Sequence, residues 1–244
     1  MRLLILSSEF PPGPGGIGTH AYQISKQFFE NKHQVCVITP QNYAELDEIL
    51  EFNQQQGFPI VSLHPPKISI ADVVYRSSII FKQIKHFSPD IILATGAKSV
   101  WLLAVINHIA KIPWVGIGHG TEFGQPLNWE KRITRWAFNQ ADGVICVSNF
   151  TNKVMLELGI LPKSSWVIPN GADDKVFFPD ANRNSRFIFQ KFGINSENKY
   201  FLLTVGNVTP RKGQEVVISA MPMILSEFPN AEYLMVGLPT DKDR

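Results

Sequence analysis

Short apolar runs and longer helical patterns alternate along the first 170 residues, and few folds accept that alternation. Leu3–Leu6, Val35-Cys36-Val37-Ile38, Ile60–Leu63, Asp90–Ala94, Trp114-Val115-Gly116-Ile117 and Gly143–Val147 are compact runs of strand length. Between them, Thr19 to Asn31, Ile70 to Phe87, Val100 to Ala110 and Trp129 to Asn139 repeat apolar residues near helical spacing. A run without polar alternation belongs to a strand covered on both faces. The pattern therefore predicts an α/β protein with a doubly wound parallel sheet. A last run, Trp166-Val167-Ile168, stops at Pro169.

Residues 171–198 turn polar and lose periodicity, which reads as a linker after a first domain over 1–170. From 199 the pattern restarts: Phe201–Val205 as a strand, Gln214 to Phe228 as a helix despite Pro222, Tyr233–Val236 as a strand. Two strands and one helix cannot cover both faces of a sheet. Residues 199–244 are thus expected to be the truncated start of a second Rossmann-like domain. The chain is expected to be a fragment or an incomplete gene product, short of a full second domain by roughly 100 residues.

Composition removes other classes. Apolar residues are 44% and charged residues 18%, which excludes disordered and collagen-like chains. With 23 Lys and Arg against 21 Asp and Glu, the net charge of +2 gives no case for a nucleic-acid partner. Cys36 and Cys146 stand far apart in apolar runs without metal-binding spacing, so reduced thiols and a cytoplasmic setting are expected. The Asn149 and Asn207 sequons are read as chance. The four-residue run near Met1 is too short for a signal-peptide core. No apolar stretch approaches membrane-spanning length, and Ser99 to Ile109 has the length of a core helix.

Five segments carry chemistry. Phe10-Pro11-Pro12-Gly13-Pro14-Gly15-Gly16-Ile17-Gly18-Thr19 joins the first strand to the first helix, where unpaired N–H groups face anions. Gly15 and Gly16 would let a phosphate reach the backbone; the plainer reading is a simple loop. The same stretch satisfies G-x-G-x-x-G at Gly13, Gly15 and Gly18, which raises an NAD(P) oxidoreductase. Against that, Glu9 to Pro12 separate the glycines from the strand, and the second strand ends Thr39-Pro40-Gln41 without an acid for a ribose.

Gly118-His119-Gly120-Thr121-Glu122 follows another strand. His119 there could bond a sugar hydroxyl or a phosphate, or move a proton near neutral pH, unless it is only a loop histidine on a carbonyl. Gly120 and Glu122 are supporting candidates, and His20, near the glycine loop, is a weaker one. Ser148, in Val147-Ser148-Asn149, is placed to cap a helix beginning near Phe150. Asn170-Gly171-Ala172-Asp173 reads as a tight turn. Val205-Gly206-Asn207-Val208-Thr209-Pro210-Arg211-Lys212-Gly213 is no Walker A loop, yet Arg211 and Lys212 at a helix start suit a diphosphate, unless they are solvated loop charges.

In this order the five segments resemble glycosyltransferase family 4, with its two-Rossmann GT-B fold. The resemblance implies retaining, metal-independent transfer of a hexose from a nucleotide-sugar donor to a saccharide or lipid-linked acceptor, in cell-surface polysaccharide or glycolipid assembly. It implies no cofactor. Gly15 and Gly16 would meet acceptor and donor phosphate, His119 the transferred sugar, and Lys212 the donor diphosphate, with Gly120, Glu122, Ser148 and Asn170 as support. Two departures stand out. Family members carry Arg where this chain has Asn207, so Arg211 would have to serve. The family's Glu-x₇-Glu pair would lie beyond Arg244, so this chain alone is expected to be inactive, or to be a non-catalytic acceptor-binding module.

Two stretches bear on membranes. Lys67 to Phe87 mixes Arg76, Lys82 and Lys85 with Val73, Ile80 and Ile84, and Trp129 to Phe138 mixes Lys131, Arg132 and Arg135 with Trp136. Each reads as a core-facing stripe with a solvated basic side, or as a helix lying on anionic lipid. The expected setting is cytoplasmic, with peripheral contact at the inner face of the membrane.

Overall fold

The apolar runs become strands: β1 (Arg2–Ser7), β2 (Gln34–Pro40), β3 (Ile60–Leu63), β4 (Ile91–Thr95), β5 (Trp114–Gly118), β6 (Gly143–Cys146) and β7 (Ser165–Val167). They form one parallel sheet in the order β3-β2-β1-β4-β5-β6-β7. The structure, a computed structural model, describes every residue except 14, 43, 64–68, 125–126, 179–185, 196 and 238–244, and leaves out the side chains of residues 70 and 186. Pro14 of the glycine loop, His64, Lys67, Pro239 and the charged tail 241–244 lie outside the described residues. The chain divides between Ala172 and Asp173 into two compact units.

In the first unit the connections are α1 (Gly16–Glu30), α2 (Leu46–Gln54), α3 (Ile70–Phe87), α4 (Ala97–Ala110), α5 (Asn128–Asn139) and α6 (Asn149–Glu157). Both sheet faces are covered. Leu4, Leu6, Ile92 and Val144 pack with Ile80, Leu103, Phe138 and Met155 on one face. Leu3, Ile5, Leu93 and Ile117 pack with Ala21 and Phe58 on the other. Along β5 the first face reads Trp114, Gly116, Gly118, because bulk is excluded there. A Cβ on Gly116 would stand 2.9 Å from the Phe138 ring, and one on Gly118 2.6 Å from the Phe123 ring. The aromatic rings of the following segments fill the space the glycines leave.

The second unit holds α7 (Arg186–Lys191), β8 (Tyr200–Val205), a 3₁₀ turn over Pro210–Lys212, α8 (Gln214–Glu227) and β9 (Ala231–Val236). β8 and β9 pair in parallel. Leu203, Val205, Met235 and Val236 remain exposed.

Two helices carry no signal in the sequence pattern. α2 buries only Ile49, too little for a stripe. α7 is six residues long, inside the stretch read as linker. The turn expected over Asn170-Gly171-Ala172-Asp173 is closed at Asp173, whose carbonyl accepts from Phe177 N–H (2.8 Å) and whose Oδ1 accepts from Lys175 N–H (3.0 Å). The aspartate side chain, rather than the Asn-Gly pair, supplies the local acceptor that closes it.

Candidate functional site

In an open α/β sheet the loops splay apart at the carboxyl ends of the strands where the strand order reverses. Here that place is between β1 and β4. Ser8 N–H donates to the Thr95 carbonyl (3.0 Å), tying the two strand ends together. Gly96 has φ +84°, and a Cβ there would run into the Ser8 side chain, so only glycine lets the two loops close.

His119 follows β5 directly. Its Nε2 shares a hydrogen bond with Thr95 Oγ1 (2.8 Å), and its main-chain N–H donates to Glu122 Oε2 (2.9 Å). The His20 ring, from α1, stands edge-on to the His119 ring at 4.8 Å. Burial pushes His119 down to about 4, and the neighbouring His20 pushes the same way. Burial also lowers His20. Both imidazoles are therefore neutral near pH 7. A neutral imidazole has one donor and one acceptor nitrogen. With Nε2 committed to Thr95, Nδ1 has no hydrogen-bond partner among the described residues, and is the nitrogen left for a ligand.

Two carboxyls complete the cluster. Burial raises Glu122 above the usual carboxylate range, against the pull of the N–H groups of Glu122, His119 and Gly120, and the charge of Glu9 raises it further. Burial raises Glu9, while the Gly18 N–H at the start of α1 lowers it. The first turn of α1 thus already faces a protein carboxyl. The space a side chain at Gly15 would fill holds that Glu9 carboxyl, whereas the space at Gly16 is open. Bare backbone is offered to a ligand at Gly16 rather than at Gly15.

The other candidates fall as follows. Gly120 (φ +101°) lies against Thr151, whose Oγ1 is 3.3 Å from where a Cβ would be. Ser148 is the N-cap of α6: its Oγ accepts from Thr151 N–H (3.0 Å) and shares a bond with Thr151 Oγ1 (2.9 Å). Asn170 is exposed. Gln41, where a dinucleotide fold would carry its ribose acid, is buried and donates to the Pro11 carbonyl (2.7 Å) and to Asn53 Oδ1 (2.8 Å). That position therefore closes the loop after β1 and leaves the oxidoreductase reading without its ribose contact. Glu9 and Thr95 join the cluster around His119 and carry no motif signal of their own.

In the second unit, Lys212 folds over Gly206: its Nζ is 3.9 Å from where a Cβ on that glycine would stand. Arg211 and Lys212 are exposed, and among the described residues neither forms an ion pair. Buried Gln214, at the start of α8, donates to the Asn207 carbonyl (3.1 Å) and holds the loop.

The family model of Glycosyltransferase Family 4 matches residues 14–176. The chain is 22% identical over 236 residues to a GDP-mannose-dependent alpha-(1-6)-phosphatidylinositol monomannoside mannosyltransferase of Mycolicibacterium smegmatis, covering 96% of this chain and 60% of that protein. It is 24% identical to a glycogen synthase of Mycobacterium tuberculosis, covering 100% and 63%. Among solved structures, Anabaena HepE in complex with UDP and glucose superposes with a TM-score of 0.77 at 20% identity, covering 99% of this chain and 62% of that one. The chain therefore spans somewhat less than two thirds of the length of these relatives.

Proposed function

From the premise that this chain belongs to glycosyltransferase family 4, we propose that it serves the transfer of a hexose from a nucleotide-sugar donor to a saccharide or lipid-linked acceptor. The setting would be cell-surface polysaccharide or glycolipid assembly at the cytoplasmic face of a membrane. One observation carries the reading. The family match runs through the 118–122 loop, where a neutral histidine is locked by Thr95 and Glu122 at the carboxyl edge of the sheet.

In this reading the bond from the anomeric carbon to the diphosphate breaks, the acceptor hydroxyl oxygen takes its place on the same face as its proton passes to the departing diphosphate, and no metal takes part. A histidine held near pKa 4 is a poor acid at neutral pH, so His119 acts as a hydrogen-bond partner of the transferring sugar. Gly16 presents bare backbone, with Gly15 beside Glu9. Lys212 and Arg211 carry positive charge for the departing diphosphate. Glu122 holds the main chain of His119 and Gly120, and Ser148 holds the start of α6. The relatives' names include a GDP-mannose-dependent enzyme and a UDP complex, which support a nucleotide-sugar and leave the base open.

The test is kinetic, in the full-length enzyme. His119→Ala is expected to lower turnover by about 10²-fold, the scale of one positioned catalytic group, with donor affinity nearly unchanged. Thr95→Val keeps the shape and removes the anchor, and is expected to cost roughly tenfold, the scale of one hydrogen bond. Wild-type turnover in His119→Ala would remove the histidine from the chemistry.

A further inference from the structure

A helix with apolar residues on most of its sides is expected to be largely buried, yet α4 is buried on one side only. Leu103, Ala104 and Ile106 pack inward, while Val105 and Ile109 stand 53% and 74% exposed. Beside α4, the helix α5 turns Trp129, Ile133 and Trp136 to solvent. The two faces are joined. Trp101 Nε1–H donates to Thr134 Oγ1 (3.0 Å), the Trp101 and Trp129 rings lie 6.0 Å apart, and so do those of His108 and Trp136. The exposed apolar side chains thus form one ridge. At its Ile109 end a groove lined by Phe81, Lys85 and Ile112 continues it toward α3.

Charge gathers on the same side. Helices α3, α4 and α5 carry seven Lys and Arg residues against Asp72 and Glu130 alone, in a chain whose net charge is +2. Exposed Lys98 shares the outward face of α4 with Val105 and Ile109, and exposed Arg132 follows Trp129 and precedes Ile133 on α5. Tryptophan has an apolar body and one N–H, which suits the boundary between hydrocarbon and water. Lys and Arg around such a surface are drawn to anionic headgroups.

We propose that the ridge formed by α4 and α5 seats on the surface of an anionic lipid bilayer. Both helices begin at the carboxyl edge of the sheet, the edge that carries His119, so a seated ridge would present that edge near the lipid. The inference deepens the membrane contact in the proposed function and rests on it only for the place of action.

The experiment is sedimentation of the 244-residue chain with phosphatidylcholine vesicles, with and without phosphatidylglycerol, in the absence of any sugar donor. Binding is expected on the anionic vesicles only, with a blue shift of tryptophan emission and loss of binding in high salt. Lys98→Glu with Arg132→Glu is expected to weaken binding at least about 25-fold, at about fivefold per basic residue. Ile109→Ser with Trp136→Ser is expected to abolish the blue shift. Met223→Ser, an exposed apolar change on α8, is expected to leave binding intact. Circular dichroism checks that each variant is folded. No binding, equal binding to both vesicles, a control as damaging as the ridge variants, or a ridge that proves to hold two copies of the chain together would each overturn the proposal. Because no donor is present, such a failure leaves the transfer reading standing, and an inactive enzyme that still binds vesicles leaves the ridge standing.

Discussion

Residues 1–172 and 173–244 use the same local grammar of strand, glycine-containing loop, helix and strand, and reach different degrees of burial. In the first unit the central strands lie under helices on both faces, so Leu4 and Leu3, neighbours in the chain, are buried in two separate cores, while the edge strand β7 stays exposed. In the second, among the described residues, only Ala231 and Gln214 are buried, while Leu203 and Val205 of β8 are exposed. The apolar run makes the strand in both cases. The number of strands sharing helices decides whether the run is buried.

The sharpest way to break that contrast is to remove one phenylalanine from each unit. Phe138 is fully buried, packs on Phe123 at 5.1 Å and fills the space above Gly116. Phe138→Ala is expected to destabilise the first unit by about 3–5 kcal/mol, the cost of a large cavity. Phe228 is half exposed and touches Tyr200 edge-on at 5.5 Å. Phe228→Ala is expected to cost less than about 1 kcal/mol. Urea denaturation followed by amide exchange reads both, and equal losses would show that the second unit has a core of its own.

A smaller effect tests how the core reaches the site. A methyl on Gly118 would overlap the Phe123 ring, and Phe123 follows Glu122, which holds the His119 main chain. Gly118→Ala is expected to cost about 1–3 kcal/mol by overpacking, and to lower turnover of the full-length enzyme by moving the Glu122 anchor. A variant that loses stability while keeping full activity would uncouple the two.

The strands were legible because burial on both faces leaves an unbroken apolar run, as in Val35-Cys36-Val37-Ile38. His119 was legible because glycines flank it just after such a run. Glu9 and Thr95 were not, since their place depends on the pairing of β1 with β4, in which Ser7 sits beside Thr95. No local pattern encodes a register across that much chain. The outward face of α4 was hidden for a different reason. When apolar residues fall on most sides of a helix, periodicity does not say which side meets the sheet.

The smallest expected effect is the pH dependence of stability set by the polar cluster. His119 is lowered to about 4 by burial and by His20, against an ordinary histidine near 6.5. Between those values the unfolded chain binds a proton that the folded chain refuses. The contribution of His119 is therefore complete above about pH 6.5 and is lost as pH falls from there through about 4. The lowered His20 acts in the same direction. Glu9 and Glu122, raised by burial, act oppositely: the folded state takes up their protons first, so their contribution grows as pH falls toward the ordinary carboxylate range. The two kinds of group thus tilt stability in opposite directions with pH, and a change at His119 alone removes one histidine's share. His119→Asn removes the larger histidine contribution and keeps a polar group of similar reach. Melting temperatures taken from pH 7 to pH 4 are expected to fall less steeply for the variant than for the wild type. Parallel curves would mean that His119 is solvated in the folded protein, and that the site at the carboxyl edge of β5 is open to water rather than sheltered beside the core.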